Sequence, residues 1–312
     1  MRRVLGVDGG QSGIRLRHSG GDRVVEVDGV SRLEGDTVSA VADAVARGLR
    51  DCDLGPAELV VLGLTTAPAD TAASDRLCRL VSEATGAPRV WLADDAVTSH
   101  AGALSLGWGV SLVVGTGVAC LALPADGGPR IIGGHGYLLG DEGGAFWIGR
   151  QGLRAVLRAG DGRGPATALA RAALDRFGPA ANLHVRLYEL GRPVNEIAYF
   201  APEVLAASEA GDAVADGILD EAATELLLVA QAGAAWAGVG AGTVPLALGG
   251  RLLAEGSALR RRLDTRIACG SVPVAARTAD ASALEGAVRL GLAGVPGAYH
   301  GLIHVWTQVA PA

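Results

Sequence analysis

Val4-Leu5-Gly6-Val7-Asp8-Gly9-Gly10-Gln11-Ser12-Gly13-Ile14-Arg15-Leu16-Arg17 is the stretch from which the rest of the chain is best read. The apolar run Val4–Val7 ends in Asp8-Gly9-Gly10, and Ile14–Arg17 and Val24–Val27 follow it, alternating as antiparallel strands do. A glycine hairpin between two strands lets backbone N–H groups approach phosphate oxygens without interference from a Cβ, so Gly9–Gly13 is a candidate phosphate cradle. Ser12 adds a hydroxyl donor, and Asp8 at the strand end is placed to hold a hydrated Mg²⁺ against the β- and γ-phosphates of a nucleotide.

Outward from this hairpin, a helix near Thr37–Arg50, a strand Leu59–Leu64, a helix near Thr71–Thr85 and a strand Arg89–Leu92 complete one unit. The same order restarts at Ser111. Val113-Val114 runs into Gly115-Thr116-Gly117, and Ala119–Leu123 and Arg130-Ile131-Ile132 supply the next strands. After a long helical insertion over about Phe146–Ala237 come Val244–Leu248, a helix near Ser257–Ala268, Val272–Ala275 and a helix near Ser282–Ala293. Two successive units with a glycine hairpin at the same place predict an α/β protein of duplicated domains whose hairpins face each other. The units span residues 1–110 and 111–295, and the segment 296–312 is expected to fray or to return to the first.

Composition narrows the chemistry. At 312 residues the chain has room for two domains, with charged residues at 19% and a formal charge of −6. The longest basic run is Arg260-Arg261-Arg262, read as a solvated helix face, so no large nucleic-acid footprint is expected. There is no lysine anywhere. That removes a Walker A loop and Schiff-base chemistry, and leaves backbone amides, hydroxyls and metal to hold phosphate. Cys52, Cys78, Cys120 and Cys269 are far apart and read as reduced core residues of a cytoplasmic protein. The charge-free runs 101–125 and 226–250 each read as a buried helix feeding a buried strand, not a membrane span. His300 and His304 have helical spacing but no acidic companion, and read as part of a C-terminal segment, not a metal site.

Ala93-Asp94-Asp95-Ala96 closes the first unit's last strand and opens a helix. One aspartate suffices to cap that helix. The other sits at the lip of the cleft, where a kinase needs a carboxylate to orient an attacking hydroxyl and accept its proton.

Together, Gly6-Val7-Asp8-Gly9-Gly10, Ala93-Asp94-Asp95-Ala96, Gly115-Thr116-Gly117, Gly133-Gly134-His135-Gly136-Tyr137-Leu138-Leu139-Gly140-Asp141-Glu142-Gly143 and Leu248-Gly249-Gly250 resemble the N-acetylglucosamine kinase group of the BadF/BadG/BcrA/BcrD ATPase family, within the actin, sugar kinase and heat-shock chaperone superfamily. The resemblance covers nearly the whole chain in order. It implies two ribonuclease-H-like, actin-like ATPase domains around a nucleotide cleft, with ATP and Mg²⁺ as cofactors and a homodimer as the common state. It also implies Asp95 as the base, with Asp94 left to cap. Gly134, His135, Asp141 and Glu142 fall at the sugar. Gly9, Gly10, Gln11, Ser12, Gly115, Thr116 and Gly117 fall at the phosphates, and Gly249 and Gly250 near the adenosine. Arg251 either stacks on the base or covers a helix start.

The chain departs from the family at three places. Gln11 and Gly13 stand in a hairpin that usually reads three glycines, a hydroxyl residue and lysine. Ser31-Arg32 stands near where a sugar-binding asparagine normally follows the third strand, and His135 where tryptophan is common. An arginine in the pocket favours an acidic or phosphorylated sugar. The expected activity is transfer of the ATP γ-phosphoryl to a hydroxyl of an amino sugar such as N-acetylglucosamine or glucosamine. Two alternatives stand beside it: an ATPase activator of a 2-hydroxyacyl-CoA dehydratase, which would need surface cysteines for an iron–sulfur cluster, and a sensor that binds sugar or nucleotide without turnover.

Overall fold

The computed structural model describes residues 2–10, 12–30, 35–52, 56–65, 67–238, 242–270, 273–294 and 297–308. Its strands form two sheets. The first contains β1 (Val4–Gly9), β2 (Gly13–His18), β3 (Val24–Asp28), β4 (Leu59–Leu64), β5 (Arg89–Ala93) and β11 (Ile303–Thr307), in the order β11-β5-β4-β1-β2-β3. The second contains β6 (Gly109–Val114), β7 (Val118–Leu123), β8 (Arg130–Ile131), β9 (Val244–Gly249) and β10 (Val274–Thr278), in the order β10-β9-β6-β7-β8. Strands β5-β4-β1-β2-β3 and β10-β9-β6-β7-β8 are the same arrangement, with the two hairpin pairs antiparallel and the remaining neighbours parallel in both.

β1 and β4 are buried along their whole lengths because both faces of the first sheet are covered. On one face Leu5, Val7 and Leu62 pack with Val41 and Val45 of α1 (Thr37–Cys52) and Leu77 and Val81 of α2 (Thr71–Thr85). On the other, Val4 and Val61 pack with Val97 of α3 (Asp95–Ala103). Leu121 and Leu123 of β7 join that same cluster, so α3 lies between the two sheets. The opposite face of the second sheet, with Val110, Leu112, Cys120 and Ala122, is covered by the insertion. That insertion comprises α4 (Ala145–Gly160), α5 (Leu169–Phe177), α6 (Leu183–Glu189), α7 (Pro193–Ala198), α8 (Ala201–Glu209) and α9 (Ala213–Ala237). The long α9 is capped by Asp212, which accepts from Val214 and Ala215 amides at 3.0 and 2.9 Å. α10 (Ala258–Ala268) follows β9, its start capped by Ser257.

α11 (Ala283–Ala293), read from the sequence as the last helix of the second unit, packs on β1 and β4 of the first sheet and against α3. The physical reason is a set of close approaches. A Cβ on Gly286 would lie 2.5 Å from the Gly102 amide nitrogen and closer still to the Thr98 carbonyl oxygen. A Cβ on Gly6 would strike Val288, and one on Gly291 would strike Val4. The segment boundary at residue 295 therefore does not coincide with a packing boundary.

Three local expectations are corrected. β11 pairs antiparallel with β5, Ile303 opposite Ala93 and Thr307 opposite Arg89, so His304 is on a strand and shares no helix face with His300. Its Nε2 lies 2.9 Å from Asp75 of α2. Cys269 is exposed at the end of α10, unlike Cys78 and Cys120, which are buried; the Cys52 side chain lies outside the described residues. Among the described residues, Arg260 of the basic run is itself buried, donating to the Leu253 carbonyl and pairing with Asp264 at 2.8 Å. No helix among the described residues is long and apolar enough to cross a membrane.

Candidate active site

The two glycine hairpins meet. In the first, Gly10 N–H donates to the Gly13 carbonyl at 2.9 Å; in the second, Gly115 N–H donates to the Gly117 carbonyl at 3.0 Å. Ser12 Oγ and Thr116 Oγ1 are 3.1 Å apart across the gap. The insertion steadies both. Ser12 also donates to Asn195 Oδ1 of α7 at 3.4 Å, while the first amides of α4, Ala145 and Phe146, donate to the carbonyls of Gly115 and Thr116 at 2.9 and 3.0 Å.

Strand register fixes the carboxylates. Asp8 lies opposite Gly63 of β4, and two residues on, Thr65 emerges on the same face. That face looks toward α3, since a Cβ on Gly63 would strike Thr98. α3 begins at Asp95, and the Asp94 carboxylate caps it by accepting from Ala96 N–H at 2.9 Å. Asp95 thus points its side chain back toward β4, where Thr65 Oγ1 donates to Asp95 Oδ2 at 2.5 Å. Burial, foremost, together with the nearby Asp94 and Asp8 carboxylates, pushes the Asp95 pKa up to about 8, against the opposing Thr65 bond. Asp8 is buried, and burial raises its pKa too, opposed by the Arg15 guanidinium and assisted by Glu26.

Arg15 was not picked out by the sequence reading. In the β1–β2 register it stands opposite Asp8, and its guanidinium donates to Asp8 Oδ2. Counting back from the hairpin would have found it. The consequence is that a side-chain cation, with about half its side-chain surface exposed, does stand beside the first hairpin in a chain without lysine. Thr65 and Asn195 carry no motif and were likewise missed.

Asp141 sits at the second hairpin, its carboxylate packed against Gly117 and accepting N–H bonds from Val118 and Gly136. Burial, then Glu142, raises its pKa; those bonds oppose the rise. Its φ of 61° is left-handed, a conformation that costs a non-glycine residue energy and is held here by the surrounding bonds. Glu142 beside it is exposed. Gly250, with φ 89°, passes so close to the Val114 backbone that a Cβ would not fit, which brings the end of β9 against the root of the second hairpin. Gly249 precedes it on β9, and Arg251 is exposed at the start of a short 3-10 turn, Arg251–Leu253.

A chain of contacts therefore links Asp8, Gly9, Gly10, Ser12, Asp95, Gly115, Thr116, Gly117 and Asp141. It does not take in every predicted residue. His135 and the exposed Gly134 lie on the approach loop, where the His135 charge acts on Asp141. The His135 side chain nevertheless lines a groove of about 510 Å³ with Arg130, Ile132, Ala232 and Trp236, beside α9 and thus at the face of the second sheet opposite α3. Gln11, Ser31 and Arg32 lie outside the described residues.

Mg²⁺ demands few protein ligands, keeping several waters and taking one or two carboxylates plus substrate phosphates. Among the described residues there is no cluster of three or more acidic, histidine or cysteine side chains able to hold a metal. Asp8, one of the carboxylates there and bonded through Oδ2 to Arg15, can supply the one protein ligand such an ion needs.

Several known proteins are similar to this chain over most of its length. Over 242 residues the chain is 29% identical to the N-acetylmuramic acid/N-acetylglucosamine kinase of Clostridium acetobutylicum, covering 74% of this chain and 79% of that protein. It is 25% identical over 232 residues to a glucosamine kinase of Vibrio cholerae, covering 72% and 78%. A crystal structure from Chromobacterium violaceum, provisionally described as an N-acetylglucosamine kinase, superposes with a TM-score of 0.71 at 29% identity, covering 93% of this chain and 99% of that one. The duplicated α/β fold with its two sheets is shared with that structure. Residues 5–290 match the BadF/BadG/BcrA/BcrD ATPase family, and the chain belongs to it.

Proposed function

We propose that the protein transfers the γ-phosphoryl group of ATP to a hydroxyl of an amino sugar, N-acetylglucosamine or glucosamine in the first instance. The observation that carries this reading is the position of Asp95, a carboxylate of raised pKa bonded through Thr65 to the first of two facing glycine hairpins, the second of which packs on Asp141. The relatives described as kinases of those sugars support it.

The residues divide the work as follows. Amides of the two hairpins and the hydroxyls of Ser12 and Thr116 bind the phosphates, with Arg15 as the adjacent cation. Asp141 and its loop hold the sugar. Asp95 orients the acceptor hydroxyl and takes its proton as the oxygen bonds to the γ-phosphorus and the bond to the ADP oxygen breaks. A base shifted up from the ordinary carboxylate range is better matched to an alcohol proton. Mg²⁺ held through Asp8 supplies charge neutralisation at the β- and γ-phosphates when bound.

We also place the protein in the cytoplasm as a homodimer. Leu228 and Trp236 on the outer side of α9 are exposed apolar residues of the kind an interface uses. Cys120 is wholly buried, and burial pushes its thiol up to about 12, which speaks against a cluster-bearing dehydratase activator. The test is a coupled ADP-release assay over amino sugars, N-acetyl amino sugars and acidic sugars. Saturable ADP release with an amino sugar supports the proposal. Calorimetric sugar binding with no ADP release across the whole panel would replace it with the sensor reading.

A further inference from the structure

Thr65 follows the last residue of β4 and touches both halves of the chemistry. Its amide donates to the Gly9 carbonyl of the first hairpin at 2.9 Å. Its hydroxyl lies 2.5 Å from Asp95 Oδ2 and 3.4 Å from that same Gly9 carbonyl oxygen. A hydroxyl has one proton to donate, and of the two oxygens in reach the Asp95 carboxyl oxygen is much the nearer, so the bond to Asp95 takes it. The side chain is also packed beneath the turn, since a Cβ on Gly10 would lie 3.5 Å from Thr65 Oγ1.

Asp95 needs such a partner. It is the first residue of α3, where the backbone is fixed by the Asp94 cap but a carboxylate can still rotate about its own side-chain bonds. On the β4 side, the Thr65 hydroxyl is what holds one of its two oxygens. The hairpin and the base are carried by different elements, β1 and α3, and Thr65 is bonded to both.

We infer that Thr65 is a positioning residue, which fixes the Asp95 carboxylate relative to the first phosphate hairpin so that base and γ-phosphoryl are held in register. The inference rests on Asp95 acting as the base. It concerns orientation, so its signature is a loss in turnover without a matching loss in nucleotide binding. Misplacing a reacting group by about 1 Å costs on the order of 10²-fold.

Thr65→Val keeps the branched shape and the amide bond to Gly9 while deleting the hydroxyl, and Thr65→Ser keeps the hydroxyl while deleting the methyl. With the sugar that gives the highest rate, kcat, the KM for sugar and the Kd for ATP are measured for wild type, both variants, Asp95→Asn and the Thr65→Val/Asp95→Asn double variant. The expected result is a fall in kcat of about 10- to 100-fold for Thr65→Val, with the Kd for ATP within about threefold and Thr65→Ser within about threefold of wild type. Adding Thr65→Val to Asp95→Asn should then cost nothing further, because the hydroxyl acts through that carboxylate.

Wild-type turnover in Thr65→Val, equal loss in Thr65→Ser, or full additivity in the double variant overturns the inference while leaving the kinase reading intact if Asp95→Asn is inactive. Wild-type turnover in Asp95→Asn overturns the reading beneath it. Should Thr65→Val fail to fold, Thr65→Ser and Thr65→Ala supply the same contrast between hydroxyl and methyl.

Discussion

Gly286→Ala is a one-methyl change remote from the cleft that should damage both stability and turnover. The new Cβ would lie 2.5 Å from the Gly102 nitrogen, and closer to the Thr98 carbonyl oxygen, where both obstacles are backbone. Non-bonded contacts of this kind settle at about 3.5–4.0 Å, so α3 and α11 must separate by at least about 1 Å. Forcing an extra carbon into a packed contact costs about 1–3 kcal/mol. At about 1.4 kcal/mol per decade, that is a five- to 150-fold rise in the unfolded fraction. The same displacement moves the start of α3, and with it Asp95, so kcat should fall by up to about 10²-fold even in the folded population. The assay is urea unfolding, with midpoint and slope, alongside kcat corrected for folded protein. Gly217→Ala on the exposed side of α9 is the internal control. Nothing lies within 4 Å of its added methyl, and it should gain about 0.5–1 kcal/mol from helix propensity. If both variants shift the midpoint in the same direction and by the same amount, the backbone contact between α3 and α11 does not exist as described.

Two further outcomes concern pH and the C-terminal segment. The raised Asp95 pKa means that between the unfolded value of 3.8 and about 8 the folded state holds a proton that the unfolded state has released, so stability from this group falls as pH rises through that window. Asp95→Asn removes the slope, and in urea melts its advantage over wild type should grow from pH 5 to pH 8; a constant difference would contradict the assignment. His100 behaves oppositely: burial lowers its pKa from 6.5 to about 4, so stability is full above pH 6.5 and is lost as pH falls toward 4. Its Nδ1 lies 2.8 Å from the Tyr299 hydroxyl in the interior, and Tyr299→Phe should cost about 1–3 kcal/mol in the same melts, leaving kcat per folded molecule unchanged.

The parts of this fold legible in the chain were those written in local alternation. β4 and α2 fall where their apolar patterns end, and both hairpins fall where glycine interrupts paired strands. The Asp94 cap was legible for the same reason, since a strand end, a carboxylate and a helix start are adjacent in sequence. Long-range choices were not. A return of 296–312 to the first unit was left open, but nothing in Ile303–Thr307 names β5, more than 200 residues away, as its neighbour. α11 crosses to the first sheet because Gly6, Gly286 and Gly291 allow close approach, a property that belongs to pairs of surfaces. The site shows the same division. Asp8, Asp95 and Asp141 stand in quotable motifs, whereas Arg15 required strand register and Thr65 required knowing which face of β4 meets α3.

The most direct test of the account is turnover of Asp95→Asn with the preferred amino sugar, measured beside ATP binding by calorimetry on the same protein. The expected result is a fall in kcat of roughly 10²–10⁴ with the Kd for ATP nearly unchanged, because the hairpins bind the phosphates and the carboxylate acts on the acceptor hydroxyl. Turnover within threefold of wild type would mean that Asp95 is not the base and that the cleft performs its chemistry through another group.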